Sequence, residues 1–411
     1  MRLLARNRFA VHISCLHIAV IVSIVSVYHT LLRFIEEVLY AGRLRRMRLR
    51  EAPLFIIGHW RTGTTLLHEM LILDERHGYP TTYECLEPNH FLLTEGFLTR
   101  LLWFFMPRKR PMDNMAAGWD RPQEDEFALA MMGQPSPYLT IAFPNHPPQY
   151  QEALSLEALP PHAVARWKRA FLGFLRRLTL RHGKRLILKS PTHTCRIKTL
   201  LEMFPDARFI HIVRDPYVVF PSTVNLWQSL YRTHGLQMPS ANGLEEQVLR
   251  TFTYLYDKLE ATRTLVHPSR FYEMRYEDLV CDPVGQMRAV YKNLDLGEFE
   301  RVLPRLQEYL DQVAGYQTNN YELSAEQREE VTRRWGEVIR RYGYGPKEEA
   351  PAPPRKPALV VPAEEDEATY PFKAVPPPIS LPRGRSAFGD GRPAESKPHL
   401  RAERKTMSKP A

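Results

Sequence analysis

The sequence predicts an α/β fold in three layers, a central parallel sheet flanked by helices. Two patterns carry that prediction. An apolar strand runs into a turn framed by two glycines, Pro53-Leu-Phe-Ile-Ile-Gly58-His-Trp-Arg61-Thr-Gly63-Thr64-Thr65, and a compact strand, helix, strand unit follows between Arg185 and Val213,. A third observation sets the limits: composition changes at both ends of the chain, which leaves residues 51–345 as the α/β domain, 1–50 as an apolar helix with a basic linker, and 346–411 as a tail,.

The N-terminal segment is free of Lys, Arg, Asp and Glu from Phe9 to Leu32, and about 20 such residues suffice to cross a bilayer,. His12, His17 and His29 interrupt it, and basic residues flank it, most densely from Arg43 to Arg50. The segment is expected to span the membrane or to lie on it, with the catalytic part on the cytoplasmic side in either case, or else to pack on the domain. No small-residue cleavage pattern marks it as a secretory signal.

Next comes the loop after the first strand. A strand that ends in Gly-x4-Gly and turns into a helix aims backbone N–H groups at one point, where the helix dipole also favours an anion. This makes the predicted fold P-loop-like. Thr64 stands where a nucleoside-triphosphatase would carry its lysine, and Arg61 offers instead a guanidinium fork for a phosphate or sulfate, with no metal required,.

Beyond the loop, Ala163 to Leu180 reads as an amphipathic helix with a basic face, Arg185 to Leu188 as a buried strand, Cys195 to Phe204 as a helix, and Phe209 to Val213 as the next strand,. Arg214-Asp215-Pro216 follows directly, with Ser222 along the helix that Pro216 starts,. Arg214 and Ser222 therefore project toward the same sheet edge as Arg61, and two anion sites on one edge imply a ligand with two separated phosphates. The alternative is a plain Arg214–Asp215 pair at a helix start. Helices are expected from about Leu244 to Val266 and Ala325 to Arg341, with a strand from Phe271 to Tyr276 between them. The tail carries 14 of the 35 prolines without apolar periodicity and is expected to be disordered,.

These motifs resemble a known family. Gly58-His-Trp-Arg-Thr-Gly-Thr-Thr65 is similar to the 5′-phosphosulfate loop, and Val213-Arg-Asp-Pro-Tyr-Val-Val-Phe-Pro-Ser222 to the 3′-phosphate motif, of sulfotransferases that use 3′-phosphoadenosine 5′-phosphosulfate (PAPS). The branch resembled is the bacterial one related to tyrosylprotein and heparan sulfotransferases, and the likeness runs from about Pro53 to Gly345. It implies that Arg61, Thr62, Gly63, Thr64 and Thr65 hold the 5′-phosphosulfate, that Arg214 and Ser222 hold the 3′-phosphate, and that Tyr276 lies near the adenine. Trp335 and Arg333 resemble a C-terminal region that closes over the cofactor.

Sulfuryl transfer needs a base for the acceptor proton and a cation for charge on the leaving oxygen. Lys189 matches the family's lysine near the transferring group. Cytosolic small-molecule sulfotransferases place a histidine two residues further on, where this chain has Pro191, although His193 is near. The tyrosylprotein and heparan branches use a Glu after the strand that follows the first helix, which points to Glu84 as base. Glu124, in Asp120-Arg-Pro-Gln-Glu-Asp-Glu126, is the second choice, and those acids also suit a helix start capped by Asp120,. His59 and His90 are further candidates.

A balance of 56 Lys and Arg against 46 Asp and Glu, net +10, suits an anionic nucleotide; no zinc-finger spacing, basic helix or aromatic RNA motif points to nucleic acid,. Four scattered cysteines indicate neither a disulfide framework nor a zinc site, as expected for a reducing compartment,. The expected function is transfer of a sulfuryl group from PAPS to a hydroxyl or amine of an acceptor, whether lipid, glycan, peptide or small molecule. The alternatives are a nucleotide phosphotransferase and an inactive membrane-associated scaffold of the same fold.

Overall fold

The computed structural model describes residues 2–101, 118–240, 243–313 and 322–345. The proline-rich tail expected to be disordered lies outside them. In chain order the main elements are α1 (Arg2–Arg6), α2 (Leu16–Arg46), β1 (Leu54–Ile57), α3 (Thr64–Leu71), β2 (His77–Gly78), α4 (Thr82–Leu86), α5 (Phe91–Leu101), α6 (Asp125–Met131), α7 (Pro161–His182), β3 (Arg185–Lys189), α8 (Ile197–Met203), β4 (Arg208–Val213), α9 (Pro216–His234), α10 (Leu244–Arg263), β5 (Phe271–Arg275), α11 (Tyr276–Cys281), α12 (Pro283–Asn293), α13 (Leu303–Val313) and α14 (Ala325–Arg341).

The five strands form one parallel sheet in the order β2-β3-β1-β4-β5. Every residue of β1 is buried, and successive side chains go to opposite faces,. Phe55 and Ile57 join Leu188, Phe209, Phe171 of α7, Leu200 of α8 and Leu255 of α10 in one cluster. Leu54 and Ile56 join Ile187, Ile210, Leu67 of α3, Met287 of α12 and Leu306 of α13 in the other. These two apolar layers are the three-layer fold that the sequence predicts.

The register aligns the carboxyl ends of the strands. Ile56 lies opposite Lys189, Ile57 opposite His211, and Val213 opposite Arg275. Gly58, Lys189, Arg214 and Tyr276 therefore leave the sheet along one edge. The chain crosses from β3 to β4 on either side of β1, a switch point where open parallel sheets hold ligands,. Tyr276, expected at the end of a strand, opens α11 instead.

Helix α2 runs on to Arg46, well past the charge-free stretch, because the domain satisfies its charges. Glu36 is fully buried and accepts from Arg177 Nε of α7 at 2.8 Å, while Tyr40 reaches the Leu92 carbonyl at 3.5 Å. Between these and the N-terminus, His29 Nδ1 lies 2.7 Å from His90 Nε2 and 2.7 Å from Glu87 Oε2, with His90 Nε2 2.9 Å from the same carboxylate. The two imidazoles are hydrogen-bonded to each other and stand beside the Glu87 carboxylate. His90, a candidate base in the sequence, is thus a fastener for α2.

Replacing Arg177 by Met leaves Glu36 buried without its cation, a loss that falls on the docking of α2 rather than on the sheet. Hydrogen exchange should show α2 amides exchanging at least tenfold faster, about 1.4 kcal/mol, with β4 unchanged; equal acceleration in both would assign Arg177 to general stability.

Candidate active site

The loop after β1 is shaped by close approaches that leave no room for side chains. A Cβ on Gly58 would come within 2.6 Å of the Ile212 carbonyl oxygen of β4. Its N–H donates to Thr194 Oγ1 at 2.8 Å, and Thr194 Oγ1 donates to the Gly58 carbonyl at 3.1 Å. Thr62 ties the loop internally through a hydroxyl bond to the His59 carbonyl (2.8 Å). Gly63 has φ +95° and caps α3, and a Cβ there would sit 2.3 Å from the Tyr276 ring,. Arg61, a non-glycine residue, also takes the left-handed conformation, φ +69°,.

Three predicted anion ligands meet here. Arg61 Nε donates to Ser222 Oγ at 2.9 Å, so the loop after β1 and the helix after β4 are bonded to each other. Arg214 Nη1 donates to the Arg61 carbonyl at 3.2 Å, and its guanidinium lies 4.2 Å from the Tyr276 ring centroid,. Asp215 does not pair off with it as the alternative reading had it. Its carboxylate accepts the Tyr217 N–H at the start of α9 (2.9 Å), and its own N–H donates to Glu277. Burial pushes the Arg214 guanidinium below its usual pKa, with the nearby Arg61 charge acting in the same direction,. An anion bound between them relieves both.

A second group surrounds Lys189, which is almost fully buried at the end of β3. Its Nζ is 2.8 Å from Glu124 Oε1 and 3.4 Å from Thr65 Oγ1 in the first turn of α3. A lysine from the neighbouring strand thus reaches the loop that lacks its own. Tyr138 Oη donates to the other Glu124 oxygen and accepts from Trp60 Nε1 at 2.9 Å. Sequence reasoning did not single out Tyr138, which lies in no motif, or Trp60, which lies within the loop motif; their contact exists only once the segment after α6 folds against the loop.

Glu84, the first choice for the base, stands elsewhere. One oxygen accepts the Thr81 N–H (2.8 Å) in a capping box that starts α4, and the other is 2.8 Å from His182 Nε2. Among the described residues its hydrogen bonds go to these two and not to Lys189. The signal was present in the sequence, since Thr81-Thr-Tyr-Glu84 has the capping-box spacing. The cap expected at Asp120 is also displaced: α6 starts at Asp125 with Glu124 as N-cap, and Pro122 bridges to Thr81.

The other candidates have structural partners. His193 is fully buried against Asp125 (Nε2 to Oδ2, 2.6 Å), and Glu126 pairs with Arg196 at 2.5 Å. His59 Nδ1 donates to the Trp60 carbonyl (2.9 Å), its Nε2 has no hydrogen bond among the described residues, and burial lowers the imidazole to a pKa of about 4. Trp335 does not close over the site: it is core, stacked on Phe252 at 3.7 Å, while Arg333 is exposed and paired with Glu330.

Comparison with known proteins places this geometry. Residues 53–301 match the Sulfotransferase family. Over 344 residues, 84% of this chain and 88% of the relative, the chain is 54% identical to proteins named omega-hydroxy-beta-dihydromenaquinone-9 sulfotransferase Stf3 from Mycobacterium bovis and Mycobacterium tuberculosis. Among solved structures it is similar in fold to the sulfotransferase STF9 of Mycobacterium avium (TM-score 0.59, 23% identity, 73% of this chain and 79% of that one) and to STF1 of Mycobacterium tuberculosis (TM-score 0.51, 19% identity, 76% and 83%).

Gly63→Ala, which places a methyl group in the Tyr276 ring, should weaken binding of 3′,5′-adenosine bisphosphate at least tenfold in calorimetric titration; unchanged affinity would separate Tyr276 from the anion site. His59 is neutral when folded and has its ordinary pKa of 6.5 when unfolded. Its contribution, about 3 kcal/mol, is therefore complete above pH 6.5 and is lost as pH falls toward 4. Urea midpoints should drop over that window, with a slope shallower by up to one proton in His59→Gln; an identical slope would contradict the buried neutral state.

Proposed function

The chain belongs to the sulfotransferase family, and from that premise we propose that it sulfates the terminal hydroxyl of a long isoprenoid, with PAPS as the sulfuryl donor. The relatives' name, at 54% identity over most of both chains, supports an ω-hydroxylated menaquinol as the acceptor. The observation that carries the donor is the Arg61–Ser222 bond, which brings the loop after β1 and the helix after β4 into one site, as a nucleotide with two separate phosphate groups would need.

The residues fit such a nucleotide. Arg61, Gly63, Thr64 and Thr65 would take the 5′ group at the start of α3, where N–H groups and dipole converge, with Thr62 bracing the loop. Arg214 and Ser222 would take the 3′-phosphate, and Tyr276, packed against Gly63 and beneath Arg214, would border the base. The donor supplies the sulfuryl group; the protein supplies position, charge and a proton acceptor.

Glu124 is the base in this proposal. At rest its charge is neutralised by Lys189 and it accepts a hydrogen bond from Tyr138. Lys189 cannot hold Glu124 and an anionic leaving oxygen equally. As its charge is drawn toward the leaving side, the Glu124 carboxylate is released from its counter-ion and can take the proton that the acceptor hydroxyl must give up. Glu84 is assigned to holding α4 in place. Family membership sets aside the nucleotide phosphotransferase reading. The apolar α2, with a mean hydropathy of 2.0 in its most apolar stretch, supports attachment to a membrane, the place where such an acceptor resides,.

The test is transfer of labelled sulfate from PAPS to a detergent-solubilised ω-hydroxymenaquinol. Glu124→Gln and Lys189→Met should each lower kcat by roughly 10²–10³ with donor affinity nearly kept. Arg214→Ala should weaken the donor by about 1.5–3 kcal/mol. A Glu84→Gln enzyme as slow as Glu124→Gln at an unchanged melting temperature would move the base back to Glu84.

A further inference from the structure

Helix α2 does not stand away from the domain. Near its start, Asn7 is bonded to Gln149 and His146, the His12 N–H donates to the Leu236 carbonyl at 2.9 Å, and Gln237 Nε2 donates to the Ala10 carbonyl at 2.9 Å. Further along, His29, Glu36 and Tyr40 are fastened as described above. A helix of 31 residues is about 46 Å long, against a hydrocarbon core of about 30 Å,. Fastened from end to end, it cannot cross a bilayer without drawing in the domain and its buried charges.

The outer side of the same helix is apolar. Val22, Ile24, Val27, Leu31, Phe34 and Val38 are all more than half exposed, with no charged residue before Arg33. Phe97 and Leu101 of α5, the helix adjoining Tyr40, are exposed as well. Arg43, Arg45 and Arg46 end the helix, and Arg2, Arg6 and Arg8 precede it, so cations border the apolar face at both ends. Apolar side chains between basic borders match an anionic bilayer surface.

The N-terminal border is also connected to the catalytic carboxylate. Leu236, which holds His12, donates its own N–H to the Ala142 carbonyl at 2.8 Å. Ala142 ends the 3₁₀ helix Pro137–Ala142 that carries Tyr138, the donor to Glu124. Trp227 and Tyr231 of α9, just ahead of Leu236, pack in the aromatic group formed with Trp60 and Tyr138. On this border Ile13 is 79% exposed and Met238, two residues past Leu236, is 63% exposed.

We propose that α2 lies flat in one leaflet of an anionic bilayer, and that Ile13 and Met238 form the lipid-facing rim through which an isoprenoid acceptor passes its hydroxyl to Glu124 while its tail stays in the membrane. The inference rests on the isoprenoid reading for its substrate and on the structure alone for its surface. It sets the active site beside the leaflet rather than at the end of a tether.

Full-length protein is tested on vesicles of phosphatidylcholine and phosphatidylglycerol (4:1), with a long ω-hydroxy isoprenoid embedded in them or with geraniol free in solution. Ile13→Asp and Met238→Asp change exposed side chains outside the catalytic group. Each should lower kcat/KM for the embedded acceptor at least tenfold, leave geraniol within twofold, and leave adenosine bisphosphate binding unaltered. Both acceptors slowed together, or neither, would overturn the rim. If the wild type turns over neither alcohol, the isoprenoid reading fails while the surface is still judged by flotation: wild type floating with the vesicles and Ile13→Asp floating at least threefold less supports it. A wild type that stays with the soluble fraction, or pairs with a protein instead of the vesicles, overturns it.

Discussion

The buried ion pair between Lys189 and Glu124 is the constraint on which the rest of the site depends. Neither charge is tolerable alone at the sheet edge, so the segment that carries Glu124 must close over β3,. Its two neighbours repeat the arrangement. Asp125 takes His193 and Glu126 takes Arg196, so three consecutive acids are matched by three groups from the stretch that leaves β3. Only the outermost of the three pairs borders the phosphate loop. The two inner pairs are fully buried and hold the segment independently of the outermost one.

The anion site follows from the sheet's order. β1 and β4 are neighbours and parallel, so a loop after one and a helix after the other emerge side by side. Arg61 can then reach Ser222, and Arg214 can reach the Arg61 carbonyl, across a gap that the backbone register has already set. The left-handed turn at Arg61 stores some strain there, and the bonds at both ends of that residue offset it,.

Most of this architecture was legible in the residues. The strands from Leu54, Arg185 and Phe209 were readable because each is a short apolar run bounded by polar residues, and α14 fell on its expected limits because its spacing and its Ser324 cap agree. The anion ligands were readable because they sit within a few residues of a strand end. The surroundings of the two candidate carboxylates were not. Glu84 and Glu124 both stand at a helix start, and what separates them is that Glu124 meets a lysine 65 residues further along the chain. The extent of α2 was hidden for a like reason: charges from Arg33 onward end the apolar pattern in sequence, but Glu36 among them is paired in space by Arg177.

The order of the strands also governs how the molecule comes into being. β1 lies at the centre of the sheet, yet its partners are β3 and β4, with Leu54 set against Ile187 and Arg208. Nothing can pair with β1 until the chain through β3 has left the ribosome, and its second side waits for β4, so closure is a long-range event that pays its loop entropy late,. The apolar α2 emerges before any of this. It is complete while the domain that will pair its Glu36 is still unformed, and the sheet then assembles beside a helix already made,.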